Sequence, residues 1–191
     1  MKRVSLLRKI SPFVLATESA EQFDDERRSI SAAIKPRNRI EQMYADDISS
    51  SSWQVLRLHR TANTIVKLAL PDSLFVLLTQ QCDVERIRAQ SLVAAWSCGN
   101  PDAKAEVLSI LSEHGLDESA IEAGAIIASL PSLAAIDQLL ASNGSRRDKG
   151  LAGIAFCRRD MEGMQAQNVE DQNKVAQIEH APPNPRPVKR G

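Results

Sequence analysis

The sequence predicts an all-α protein of five or six helices, with two long antiparallel helices as a spine and disordered tails. Apolar residues recur in steps of three and four, the period of one helix face, along most of the chain. The breaks between these runs are helix caps and helix stops rather than hairpin turns. There is no alternating strand pattern and no repeat of roughly 20–50 residues.

Each element has its own signals. Ser19-Ala20-Glu21-Gln22 has capping-box form and opens a helix carrying Phe23, Ile30 and Ile34. That helix stops at Lys35, because Pro36 disfavours the α conformation just before it. Asn38-Arg39-Ile40-Glu41 repeats the capping pattern. From it runs a stripe of Ile40, Tyr44, Ile48, Ser51, Val55, Leu58, Ala62, Ile65 and Ala69, which predicts a helix of ~45 Å. Pro71 is expected to break or kink it. Leu74 to Leu78, then Val84, Ile87, Leu92 and Trp96, read as one further helix closed by Gly99-Asn100-Pro101. Asn100 caps the next helix with Pro101 at its first position, and Gly115 ends it. Asp117 opens a short alanine-rich helix to about Ala128, and Ser129 caps a last long one reaching about Gln165. Ser49 to Ser52 and Asn143-Gly144 are poor helix formers inside these helices.

The expected organisation is a basic N-terminal arm (1–16), a single helical domain (17–165) and a Pro-rich disordered tail (166–191), ending APPNPRPVKRG. The chain balances 24 basic against 24 acidic residues, so no global field recruits polyanions. The charges are clustered, however: 1–16 is basic, 71–145 acidic and 146–160 basic again. Arg8 and Lys9 interrupt the N-terminal apolar runs below the ~7–15 residues of a signal-peptide core. No uninterrupted run approaches the ~18 apolar residues of a membrane span. Cys82, Cys98 and Cys157 form no CxxC, which suits reduced thiols. A soluble, cytoplasmic protein without a membrane role is expected.

Enzyme signatures are nearly absent. There is no GxGxxG and no GxxxxGK[ST], and GSRRDKG (144–150) resembles a phosphate loop only superficially. His59, His114 and His180 fall on different elements without metal-ligand spacing, so no metal and no cofactor is expected. Acid clusters such as Asp24-Asp25-Glu26 and Asp46-Asp47 read as first turns or solvated faces. A non-enzymatic role follows.

Two basic groups invite a nucleic-acid reading. On the second helix Arg39, Trp53, Arg57, Arg60 and Lys67 fall roughly on one side, where cations and an exposed indole would grip phosphates and stack a base. The arm adds Lys2, Arg3, Arg8 and Lys9. The weightier reading packs Trp53 against the next helix and leaves the cations solvated, because Asp46 shares their side and repels phosphate. On the last helix Arg147 and Arg158 lie in line with Leu133, Ile136, Leu140, Leu151, Ile154 and Met161. Arg146, Lys149 and Arg159 point elsewhere, so the cations surround the helix instead of forming one reading face. Arg147 and Arg158 are therefore expected to bury their stems at a helix seam and pair with a carboxylate, with Asp47 the natural partner.

Four segments, SPFVLATESAEQFDD (11–25), AAIKPRNRIEQMYADDI (32–48), HGLDESAIEAGAI (114–126) and IDQLLASNGSRRDKGLAGIAFCR (136–158), resemble an uncharacterised group of short, helix-rich proteobacterial proteins often encoded near insertion sequences. The resemblance implies a helical fold and a mobile-DNA neighbourhood, and no catalytic residue. The chain departs from that group at Ser49–Ser52, Pro71 and Asn143-Gly144. The function expected is a non-catalytic helical interaction module with a protein partner or a second copy of itself. The alternative is a nucleic-acid-associated accessory protein of a mobile genetic element.

Overall fold

Three helix starts are set by side chains the sequence marks as caps. The Ser19 hydroxyl accepts the Gln22 N–H at 3.3 Å, the Asn38 carbonyl oxygen accepts that of Glu41 at 2.9 Å, and Asn100 accepts those of Asp102 and Ala103. The computed structural model describes residues 14–179, and these residues form five helices: α1 (Ala20–Ile34), α2 (Arg39–Gln80), α3 (Arg86–Ser97), α4 (Pro101–Glu113) and α5 (Glu118–Glu179). Among the described residues there is no strand. Lys35 closes α1 in the left-handed region at φ 49°, and Gly115, at φ 70°, follows α4 in the conformation glycine favours.

The all-α class and the spine stand. Along the seam Ser73 donates to the Ile121 carbonyl at 2.8 Å, Ile48 lies against Gly150, Tyr44 against Gly153, and Arg158 meets Glu41. Partners on α5 run backward as α2 runs forward, so the two helices are antiparallel. Glycine is what allows the close approach: a Cβ on Gly153 would lie 2.6 Å from Tyr44 Cζ, and one on Gly150 2.8 Å from Ile48 Cγ1. The serine run fits the same close packing. Ser49 and Ser50 turn their hydroxyls back onto the Ala45 and Asp46 carbonyls at 2.7 and 2.9 Å, which satisfies them inside the helix.

Two apolar clusters hold the other helices to this spine. At one end Leu74 and Leu78 of α2, Leu92 of α3, Val107 and Leu111 of α4 and Ile121 of α5 pack together. Each fully buried side chain of this kind contributes ~1.5–3 kcal/mol. Toward the other end of α2, Val14 and Phe23 pack on Trp53.

The element boundaries differ from expectation in four places. Helix α2 continues through Pro71, and Leu74 to Leu78 belong to it; the chain breaks later, at 81–85, where Asp83 takes φ 50°. Helix α5 likewise continues through Pro131, so the expected break at Ser129 does not occur. A proline removes one hydrogen bond and crowds the preceding turn, but here each helix lies along its partner, and packing outweighs that local cost. Helix α5 also passes residue 165 and reaches Glu179, beyond the expected start of the tail. Val14 is only 9% exposed and packs with Phe23 and Trp53, so the expected arm, 1–16, includes a packed residue. Ile40, placed on the stripe, is exposed.

No uninterrupted membrane-length apolar run exists, yet averaged hydropathy is high along both spine helices. By length and composition alone, α2 and the Glu118–Glu170 part of α5 are long and apolar enough to cross a membrane, with mean window hydropathies of 1.3 and 1.6. Only 22% of each window is buried within the chain.

Candidate functional site

Trp53 does not face outward. It is 3% exposed, and its ring meets Phe23 of α1 edge-on, with centroids 5.6 Å apart. Its indole N–H donates to Glu18 Oε2 at 3.1 Å. Arg57, one helical turn on, donates from Nε to Glu18 Oε1 and from Nη2 to Oε2, both at 2.7 Å. This is the two-pronged arginine–carboxylate geometry, stronger than a single neutral bond. The Leu15 N–H adds a further donor at 2.9 Å. Arg57 chiefly, then the Leu15 and Trp53 donors, hold the Glu18 carboxyl down from 4.5 to about 2, against burial, which pushes it up. Arg60 lies over the Trp53 ring at 5.6 Å.

Of the five residues expected on a nucleic-acid face, Trp53 and Arg57 are withdrawn from it. Trp53 packs, though on the preceding helix rather than the next one, and Arg57 is committed to Glu18. Neither can stack a base or hold a phosphate without dismantling the contact between 14–18, α1 and α2. Arg39, Arg60 and Lys67 remain exposed cations. Lys2, Arg3, Arg8 and Lys9 lie outside the described residues, as does His180. The sequence signal missed was Glu18, which lies immediately before the Ser19 cap and reads as an ordinary helix-start acid.

The expected seam pair is half right. Arg158 does pair across a helix seam, but with Glu41: Nη2 to Oε2 is 3.0 Å and Nε to Oε2 is 3.3 Å. Its Nη2 also donates to the Ile34 and Lys35 carbonyls at 2.7 and 3.3 Å, so one guanidinium joins the end of α1, the start of α2 and α5. Glu41 is fully buried, and its Oε2 takes the Arg37 N–H at 3.0 Å. Arg158 first, then Arg37, keep this carboxyl below its ordinary range despite burial. Glu41 Oε1 is buried without a hydrogen-bond partner among the described residues.

Arg147 behaves differently. It is exposed and, among the described residues, pairs only with its neighbour Asp148, at 3.5 Å. Asp47 pairs with neither arginine. The stripe locates a face but not a register; the register sets Glu41 opposite Arg158 and places Asp47 beside Gly150.

Asp47 instead lines a groove of about 530 Å³ at the α2–α5 seam. Tyr44, Asp47, Ser50 and Ser51 form one wall, and Arg146, Lys149 and Gly150 form the other. Its basic residues, Arg146 and Lys149, are two of the three that point away from the apolar line. Arg27 of α1 holds the neighbouring acid, Asp46, at 3.0 Å.

Exposed apolar side chains are also present where the second half of α2 runs beside the first half of α5. Leu68 is 73% exposed, Ile127 67%, Leu130 and Leu139 53% each, and Val76 and Ile126 also face solvent. Between 61 and 80 only Lys67 and Asp72 are charged, and between 123 and 145 only Asp137.

Cys82 is buried, and desolvation raises its thiol pKa; Cys98 is exposed and Cys157 half-buried. Among the described residues no three His, Cys, Asp or Glu side chains are grouped so as to hold a metal ion. Comparison of the chain with protein-family models, with curated proteins and with solved structures gives no match.

Proposed function

We propose that this chain is a non-catalytic helical interaction module that associates with a second copy of itself through the apolar half of the α2–α5 hairpin. The observation that supports this reading is the exposure of Leu68, Ile127, Leu130 and Leu139 on two paired helices that carry three charges between them over these stretches. Exposed apolar patches beyond a few hundred Å² are uncommon on monomers and mark contact surfaces. Two antiparallel hairpins laid face to face make a four-helix arrangement, the usual way such surfaces are covered. A two-fold contact presents the same patch on both copies, and Lys67 can then oppose Asp72 or Asp137.

Sedimentation equilibrium of the full chain tests the proposal. A dimer or larger closed assembly is expected at micromolar concentration, and Leu68→Glu with Ile127→Glu should yield a monomer of unchanged helicity. A wild type that stays monomeric at about 100 μM refutes it. Co-flotation with lipid vesicles, lost in the same double variant, would reassign the surface to a membrane.

A further inference from the structure

Two stretches of the sequence hold poor helix formers, the serine run 49–52 and Asn143-Gly144 at the start of GSRRDKG (144–150), and the fold brings the serine run and GSRRDKG together across one seam. We propose that the groove between them is a binding site for a small phosphorylated polyol, its phosphate held by Arg146 and Lys149 and a hydroxyl held by Asp47.

The chemistry of the walls selects that class. Arg146 and Lys149 stand three residues apart on α5, so they share a face and both reach the groove. Among the described residues neither makes an ion pair or hydrogen bond, so both charges are available. A guanidinium fork with an adjacent ammonium suits the terminal oxygens of a phosphate monoester. Ser50 and Ser51 stand on the opposite wall; the Ser50 hydroxyl donates to the Asp46 carbonyl at 2.9 Å, and its oxygen can still accept a hydrogen bond. Asp47 decides the rest of the ligand. An ionised carboxylate only accepts hydrogen bonds and repels phosphate, so the group beside it must be a donor. An alcohol linked to the phosphate meets both demands. The groove volume of about 530 Å³ falls within the ~300–1,000 Å³ of small-molecule sites. Packing fixes the walls in place: Tyr44 lies against Gly153, and Ile48 against Gly150.

Glycerol phosphate, inorganic phosphate and glycerol are the probes, titrated into the full-length chain by calorimetry and by amide chemical shifts. Glycerol phosphate should saturate with a Kd below about 10 mM and shift the amides of Ser50, Ser51 and Gly150. Arg146→Ala with Lys149→Ala should weaken it at least about tenfold at constant ionic strength, while circular dichroism stays unchanged because both side chains are exposed. Asp47→Asn should weaken glycerol phosphate and strengthen inorganic phosphate. Absence of saturable binding, or equal binding by the double variant, overturns the site. If inorganic phosphate binds as tightly as glycerol phosphate, and Asp47→Asn affects both alike, the polyol assignment is overturned.

Discussion

Replacing Glu18 with Gln tests how the segment before α1 is fastened. In the native chain Glu18 accepts two bonds from Arg57, one from the Trp53 indole and one from the Leu15 N–H, and its side chain is only 9% exposed. Arg57 chiefly holds the Glu18 pKa at about 2 in the fold, down from the 4.5 of an ordinary glutamate. A difference of 2.5 units, at ~1.36 kcal/mol each, sets a ceiling of about 3 kcal/mol on what ionised Glu18 adds to stability. The folded pKa is depressed. The contribution is therefore fully present above about pH 5 and is lost as pH falls toward about 2, where the folded state also takes up the proton. Urea unfolding followed by far-UV circular dichroism measures it. Near neutral pH Glu18→Gln should be destabilised by about 2–3 kcal/mol, or on the order of 4–12 °C in Tm for a chain of this size. The two proteins should converge as pH falls toward about 2. Equal stability near neutral pH, or a gap that does not narrow with acid, would refute the assignment of Glu18 as the fastening group.

Three further outcomes follow from the packing. Arg158→Ala should lower Tm by on the order of 10 °C by leaving Glu41 buried and unpaired, whereas Glu41→Leu with Arg158→Met should recover most of the loss, as measured by thermal denaturation. Gly153→Ala should destabilise by ~1–3 kcal/mol because its Cβ meets the Tyr44 ring, while Gly144→Ala, with nothing within 4 Å, should stabilise by about 1 kcal/mol; urea midpoints give both signs. Deleting residues 1–16 should cost stability through the loss of Val14, which packs with Phe23 and Trp53; thermal denaturation followed by circular dichroism measures it.

Much of this fold is readable from local chemistry, and the misreadings share one cause. Ser19, Asn38 and Asn100 cap helices as their side chains dictate, because an N-cap acts within three residues of itself. Pro71 and Pro131 defy the same local logic: each lies in a helix stabilised by contacts from the other long helix, which single-helix propensity does not contain. The arginine pairing shows the limit again. Helical spacing places Arg158 on the seam, but its partner depends on how far α2 slides along α5, and no periodicity encodes that. Trp53 belonged to the same class of problem, since its burial depends on Phe23 and Glu18, 30 and 35 positions away. The groove was half legible. Arg146 and Lys149 stand out by leaving the apolar line, while the facing serines read only as weak helix formers.

The glycine contacts along the seam also constrain which length changes the chain can accept. Tyr44 over Gly153 and Ile48 over Gly150 match only at one sliding position of α2 against α5, much as teeth match on two combs. A single residue inserted between Ile48 and Ser73 would turn everything beyond it by about 100° around the helix and carry the Ser73–Ile121 contact off the seam. An insertion of seven residues restores the face, but it strands the distal cluster unless α5 lengthens by the same amount. The Gly99–Asn100 turn between α3 and α4 is under no such rule, since a loop absorbs extra length without rotating either helix of the spine. Length variation in related chains should therefore concentrate at that turn, with gains or losses inside α2 matched turn for turn in α5.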